Sequence, residues 1–263
     1  MQVKRGDHLM AKRQASKRQK RDNARDREDS SYRRKNPAQI RLPALEAQTA
    51  TQKKMISMIT TNSQTFAVGP AGTGKTYIAA RKAADLYDQK QVRKIVISRP
   101  NTPTGRSLGF FPGTLEEKIA PWAVPVIEVL EASLGKSHVE HLLKTGKIEV
   151  APFETMRGRT FDDAFIILDE AQNTTPHEMK MFLTRVGARS TLIVSGDVSQ
   201  SDLQGNSLDG LTMALQLVAK FDLPVGVVEF TTEDVVRSDI SAQWVVAFYR
   251  HEAANGRGLD RVA

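Results

Sequence analysis

The chain has 263 residues, 40% of them hydrophobic and 26% charged, with no cysteine and a formal net charge of +8. These values describe a globular chain with room for one large core or two small ones, and the missing thiols exclude disulfides and thiolate metal sites. No apolar run is long enough to cross a bilayer, and the basic N-terminus lacks the apolar centre of a secretory signal, so a cytoplasmic location without membrane contact is expected.

The positive excess sits at one end. Residues 1–41 hold 14 Lys and Arg against 5 Asp and Glu, while the rest of the chain holds 24 against 25. Residues 1–36 read as a disordered basic arm, with charge runs such as Lys17-Arg18-Gln19-Lys20-Arg21 and few side chains able to form a core. Such an arm either binds nucleic-acid phosphates by releasing their counterions or is simply a solvated tail. Asp22, Asp26, Glu28 and Asp29 interrupt the run and keep both readings open.

Beyond the arm, a helix is predicted over Thr51–Thr60 and a strand over Thr65–Val68. The strand runs into Gly69-Pro70-Ala71-Gly72-Thr73-Gly74-Lys75-Thr76, a full match to G-x-x-x-x-G-K-[ST], and a helix over Lys75–Asp88 follows. Successive N–H groups of a glycine-rich turn point inward and cradle nucleotide phosphates, and the helix adds its positive N-terminal end. Gly69 and Gly74 leave room for that close approach. Lys75 is the candidate for the outer phosphates and Thr76 for Mg²⁺.

A strand over Lys94–Ser98 comes next. Pro100 to Gly113 then carries Pro100, Pro103, Gly105, Gly109, Pro112 and Gly113, which predicts a long loop of the kind that is often functional. Within it, Phe110 and Phe111 stack on bases, pack on a neighbouring subunit, or anchor the loop on its own core. Helices over Leu115–Leu134 and Ser137–Lys144 and a strand over Lys147–Val150 lead to the apolar strand Ala164–Leu168, which ends in Asp169-Glu170. In phosphoryl transfer, a strand-end carboxylate beside the phosphate loop organises Mg²⁺ while another group positions the attacking water. Asp169 suits the first role, and Glu170 is the candidate general base. The alternative is a helix N-cap, a duty open equally to Asn173, Thr174 and Thr175.

Pro176 has the fixed φ that suits the first turn of a helix predicted over Pro176–Val186. The strand Thr191–Ser195 then ends in Gly196-Asp197-Val198-Ser199-Gln200. Ligands of such sheets lie beyond the carboxyl ends of the strands, so Gln200 is a candidate to sense the terminal phosphate or hold the water, with Asp197 in support. A helix over Ser207–Phe221, a strand over Gly226–Thr231 and a helix over Glu233–Arg250 complete the series. Arg237 is a candidate arginine finger, supplied in cis or to a neighbour, or else a surface helix arginine paired with Asp234 or Asp239. Arg157 and Arg159 are its rivals. Strands alternating with helices predict an α/β fold, a parallel sheet with helices on both faces.

Read together, FAVGPAGTGKT, SRPNTPTGRSLGFFPGTLEEKI, the long stretch ending in FIILDEAQNTTPHEMKMFLTRVG, SGDVSQSDL and DVVRSDI resemble the PhoH-like family of P-loop ATPases. The match runs from about Leu45 to Arg250. The DEAQ and GDVSQ segments look like motifs II and III of superfamily 1 helicases. The resemblance implies a RecA-like P-loop NTPase core over residues 37–263 and an Mg²⁺-dependent ATPase acting on RNA rather than DNA. It gives Gly69, Pro70, Ala71, Gly72, Thr73, Gly74, Lys75 and Thr76 to nucleotide binding, and Thr76 and Asp169 to the metal. Glu170 would be the base, Gln200 the phosphate sensor and Arg237 the finger. Gln52 resembles the glutamine ahead of the loop that reads adenine.

Superfamily 1 helicases place ATP between two such cores in one chain. Here there is one phosphate loop and one set of motifs, so a homo-oligomer is expected, a hexameric ring among its forms. The competing functions are a P-loop small-molecule kinase and a nucleotide-switched RNA-binding protein with little turnover. The DEAQ pair and GDVSQ favour hydrolysis by water.

Overall fold

The computed structural model describes residues 42–100, 115–151, 156, 158–201 and 208–254. The basic arm, the loop with Phe110 and Phe111, and Arg157 lie outside them. Among the described residues six strands form one sheet: β1 (Gln64–Val68), β2 (Lys94–Ser98), β3 (Ile148–Val150), β4 (Ala164–Leu168), β5 (Thr191–Gly196) and β6 (Gly226–Glu229). Their order across the sheet is β3-β2-β4-β5-β1-β6, and every pairing is parallel. All carboxyl ends therefore share one edge. The expected parallel α/β architecture is the one observed.

The strand sequences explain the burial. All five residues of β4 are buried, as is typical when helices cover both faces of a parallel strand. Alternate strand residues feed two cores. Ala67, Ile95, Ile97, Phe165, Ile167 and Ile193 point to one face. There they meet α1 (Ala50–Thr61), α2 (Lys75–Asp88), α3 (Leu115–Leu134) and α4 (Lys136–Lys144). Phe66, Val68, Val96, Ile166, Leu192 and Val194 point to the other, against α5 (Pro176–Leu183) and α6 (Gly210–Phe221). A final helix, α7 (Asp239–Ala254), follows β6 and leaves Ile240, Trp244 and Phe248 about 60% exposed (62%, 59% and 59%).

Several helix boundaries differ from the sequence expectation, three of them for a local reason that the structure shows. Helix α5 stops at Leu183, not Val186. The Thr184 hydroxyl bonds back to the Lys180 carbonyl at 3.0 Å, and Val186 is drawn into a bridge with Phe161. Helix α6 begins at Gly210, because the Asp209 carboxylate caps it by accepting the Thr212 N–H at 2.8 Å. The expected helix Glu233–Arg250 is broken: Thr232–Asp234 is a single 3₁₀ turn, and the α-helix starts only at Asp239. The N–H of Val236 donates to the Gly72 carbonyl at 3.0 Å instead of continuing a helix. Arg237 thus lies on a connector and not on a helix.

Candidate nucleotide site

The end of β1 is pinned from both sides. The Gly69 N–H donates to Gly196 O at 3.0 Å, and the Phe230 N–H donates to Val68 O at 2.7 Å. Gly69 has φ +134°, and a Cβ there would collide with the Phe230 carbonyl oxygen, so no other residue fits. The loop then closes over itself. Thr73 Oγ1 donates to Pro70 O at 3.0 Å. Lys75, at the start of α2, turns back and donates its ammonium hydrogens to Gly69 O at 2.6 Å, Pro70 O at 2.7 Å and Thr73 Oγ1 at 3.2 Å. Burial pulls the Lys75 pKa below its ordinary value, against the opposing pull of Asp197, Asp169 and Glu170.

Thr76 and Asp169 meet. The Thr76 hydroxyl donates to Asp169 Oδ1 at 3.0 Å, and Ser195 Oγ, from β5, donates to the same oxygen at 2.8 Å. These are hard oxygen donors on rigid elements, one carboxylate and one hydroxyl. Mg²⁺ is commonly held in such sites by one or two carboxylates together with the phosphates of its nucleotide, without an all-protein cage. No cluster of three or more His, Cys, Asp or Glu able to hold a metal occurs among the described residues.

Glu170 follows in a left-handed conformation, φ 52°, uncommon for a residue with a side chain. Its Oε2 accepts from Gln172 Nε2 at 2.7 Å, and its Oε1 lies 3.5 Å from the Arg99 guanidinium at the end of β2. The N-cap alternative for the acidic pair does not hold. Thr175 caps α5, with Glu178 completing a reciprocal capping box. Gln200 lies on the turn after β5, its N–H donating to Asp197 O at 3.0 Å and the residue exposed.

Arg237 is beside its own phosphate loop. A Cβ built on Gly72 would lie 2.5 Å from Arg237 Nε and 2.9 Å from Cδ, so the side chain crosses directly over that glycine. The expected partner Asp234 faces elsewhere. Burial pushes its carboxyl up, but hydrogen bonds from the Thr231 backbone and the Thr49, Thr51 and Thr231 hydroxyls outweigh this and hold it below the ordinary value. Arg159 lies outside the site, paired with Glu149 at 2.6 Å and 4.8 Å from the Phe161 ring.

Gln52 is buried against the loop. Its Nε2 donates to Thr73 O at 3.0 Å, and its Oε1 accepts the Gln48 N–H at 2.8 Å. Among the described residues, one amide hydrogen and one lone pair of Gln52 remain unspent. Gln52 also lines a cavity of about 320 Å³, shared with Gly72, Gly74, Leu45, Tyr77 and Val236. That cavity adjoins the phosphate loop and is the size and character of a base pocket.

The structure therefore brings Gly69 to Thr76, Gln52, Asp169, Glu170 and Arg237 to one sheet edge, with Gln200 on a turn at the same edge. Sequence reasoning missed Ser195, Arg99 and Gln172. The available signals were a polar residue at the close of an apolar strand for the first two and the glutamine of the DEAQ stretch for the third.

A family model described as PhoH-like protein matches residues 44–250. A PhoH-like protein of Mycobacterium tuberculosis (strain ATCC 25618 / H37Rv) is 45% identical over 219 residues, covering 83% of this chain and 62% of that protein. One from Bacillus subtilis (strain 168) is 43% identical over 205 residues, 78% of this chain and 64% of the relative. The chain thus spans a little under two thirds of the length of these relatives. Among solved structures, the UvsW helicase from bacteriophage T4 is a loose match: TM-score 0.43, 12% identity, 78% of this chain and 67% of that one.

Proposed function

The chain belongs to the PhoH-like family, with a P-loop NTPase core, and on that premise we propose that it binds ATP with Mg²⁺, hydrolyses it, and couples hydrolysis to helicase-like or remodelling action on RNA. The observation that carries this reading is the contact between Thr76 and Asp169, with Glu170 beside it. A phosphate loop alone implies binding; a metal-type carboxylate touching the loop and a second, separately held carboxylate imply a reaction at the terminal phosphate.

In this reading the base enters the cavity beside Gln52, and the phosphates lie along Gly69 to Thr76. Lys75 leaves the Gly69 and Pro70 carbonyls for phosphate oxygens. Thr76 and Asp169 hold Mg²⁺, which neutralises charge on the phosphates when bound. Glu170 accepts a proton from the attacking water, Gln200 meets the terminal phosphate, and Arg237, over Gly72, balances charge that develops there. Residues 37–263 act as one ATPase domain, and the arm adds phosphate contacts with RNA. A cytoplasmic homo-oligomer, a hexameric ring among its forms, rests on the family resemblance.

The test is steady-state release of free phosphate from ATP and Mg²⁺ with RNA, single-stranded DNA, duplex or nothing added. Release that rises with RNA supports the reading. No release in even a single turnover favours a nucleotide-switched binding protein, and phosphate appearing on a metabolite favours a kinase.

A further inference from the structure

Gln172 is 1% exposed, and both ends of its amide are used. Nε2 donates to Glu170 Oε2 at 2.7 Å, while Oε1 accepts the N–H of Asp197 at 3.0 Å. One buried side chain thus spans from the carboxylate after β4 to the backbone after β5. The space it needs is reserved: a Cβ on Gly196 would sit 2.7 Å from Gln172 Oε1. Its backbone carbonyl also accepts the Ser201 hydroxyl at 3.2 Å, a second tie to the same turn.

That turn is internally stiff. Asp197 Oδ1 accepts from Ser199 N at 3.0 Å and Ser199 Oγ at 2.7 Å, and Asp197 O accepts the Gln200 N–H at 3.0 Å. Asp197 Oδ2 is buried and has no partner among the described residues. An unpartnered buried oxygen is costly and marks this turn as one whose hydrogen bonding is incomplete. Glu170, at the other end of the bridge, is in a left-handed conformation. Such a conformation persists only where its surroundings hold it.

We propose that Gln172 is a positioning residue that ties the aim of the Glu170 carboxylate to the turn Asp197–Gln200, so that contact of a nucleotide's terminal phosphate with that turn re-aims the base. The inference rests on the hydrolytic reading above for its consequence, but the coupling itself requires only nucleotide binding. A γ-phosphate and a diphosphate end then differ in what they do to Glu170, 2.7 Å from the Gln172 amide.

Two variants separate the two bonds. Gln172→Glu keeps an acceptor for the Asp197 N–H and sets a like charge against Glu170 where an amide donor stood; Gln172→Ala loses both bonds without adding charge. Amide hydrogen exchange on the full chain, with and without a slowly hydrolysed ATP analogue and ADP, gives the readout independent of turnover. In the parent, the analogue changes exchange at residues 196–201 and 169–173 together, and ADP changes neither pair in concert. In both variants the first segment still responds and the second does not. Turnover gives the second readout: the variants keep ATP affinity within about twofold but lose about 10²-fold in kcat, the scale of a carboxylate misplaced by about 1 Å. In the Gln172→Ala background, Gln200→Ala costs less in kcat than it does in the parent, because only its direct contact with the phosphate is left to lose. Segments 169–173 and 196–201 responding together in Gln172→Ala would overturn the coupling. A parent without turnover but with concerted exchange would sink hydrolysis and leave the coupling standing.

Discussion

The Thr76 hydroxyl and Asp169 Oδ1, 93 residues apart in sequence, lie 3.0 Å from one another, and Ser195 holds that same oxygen from a third element at 2.8 Å. Strand order creates this meeting. β5 lies between β1 and β4, so Ser195, one residue before the end of β5, falls between the loop and the acidic pair.

A hydrogen bond that orients a metal-binding carboxylate typically sets metal affinity by about 10–100-fold. Ser195→Ala should therefore weaken Mg²⁺-dependent ATP binding by about 10-fold, while binding of ATP without Mg²⁺ stays near the parent value. Titration calorimetry with and without Mg²⁺ reads the difference, and equal weakening in both conditions would make Ser195 a packing residue only.

Lys75→Ala and Glu170→Gln should divide binding from turnover. The first removes the ammonium folded onto the loop carbonyls and should weaken ATP binding. The second leaves Asp169 and its hydroxyl partners in place, so ATP affinity should hold while hydrolysis falls by at least about 10²-fold, the range typical of general-base removal. A Glu170→Gln protein that turns over near the parent rate would end the base assignment.

Much of this site was legible because its physics is local. The loop needs glycines at fixed spacing, and an apolar strand ending in Asp169-Glu170 announces where the carboxylates emerge. The sheet itself followed from continuous apolar runs such as Phe165 to Leu168. What escaped was non-local. Nothing near Gln172 says that its amide will reach Asp197, and nothing near Arg237 says that Val236 will give its N–H to Gly72 and so end a helix before it starts. The i+4 recurrence of Ile240, Trp244 and Phe248 makes that whole segment read as helix, but a backbone bond from another element decides the boundary.

Gly72→Ala tests the seat of Arg237. Gly72 has φ +81°, which costs a side-chain-bearing residue about 1–2 kcal/mol, and its new Cβ would meet Arg237 Nε at 2.5 Å. Combining it with Arg237→Ala should relieve the collision but not the backbone strain. The thermal midpoint should therefore recover only in part in the double variant, and full additivity of the two effects would show that the side chains do not meet.

Arg237 over its own loop also sets the outcome of a mixing test. Arginine fingers are worth about 10³–10⁵ in rate. Arg237→Ala and Lys75→Ala should each be inactive, and mixing them before any assembly should restore nothing, since no interface gains a site with both residues. Partial rescue would move the arginine to a neighbouring subunit.

Deleting residues 1–36 removes the positive excess of the chain. The thermal midpoint should be unchanged. Affinity for duplex nucleic acid should fall, and the slope of log K against log salt should flatten by about 0.9 for each phosphate that the arm no longer neutralises. An unchanged slope in a salt titration would reduce the arm to a solvated tail.

The folded-back Lys75 has a thermodynamic consequence of its own. A lysine side chain gives up about 1.5–2 kcal/mol of rotamer freedom when fixed, and here that cost is borne when the protein folds. A nucleotide arriving at the loop meets an ammonium already ordered and already stripped of most of its water, 9% exposed, and has only to exchange carbonyls for phosphate. Folding is less favourable for it, and the nucleotide that takes over these bonds binds without that ordering cost.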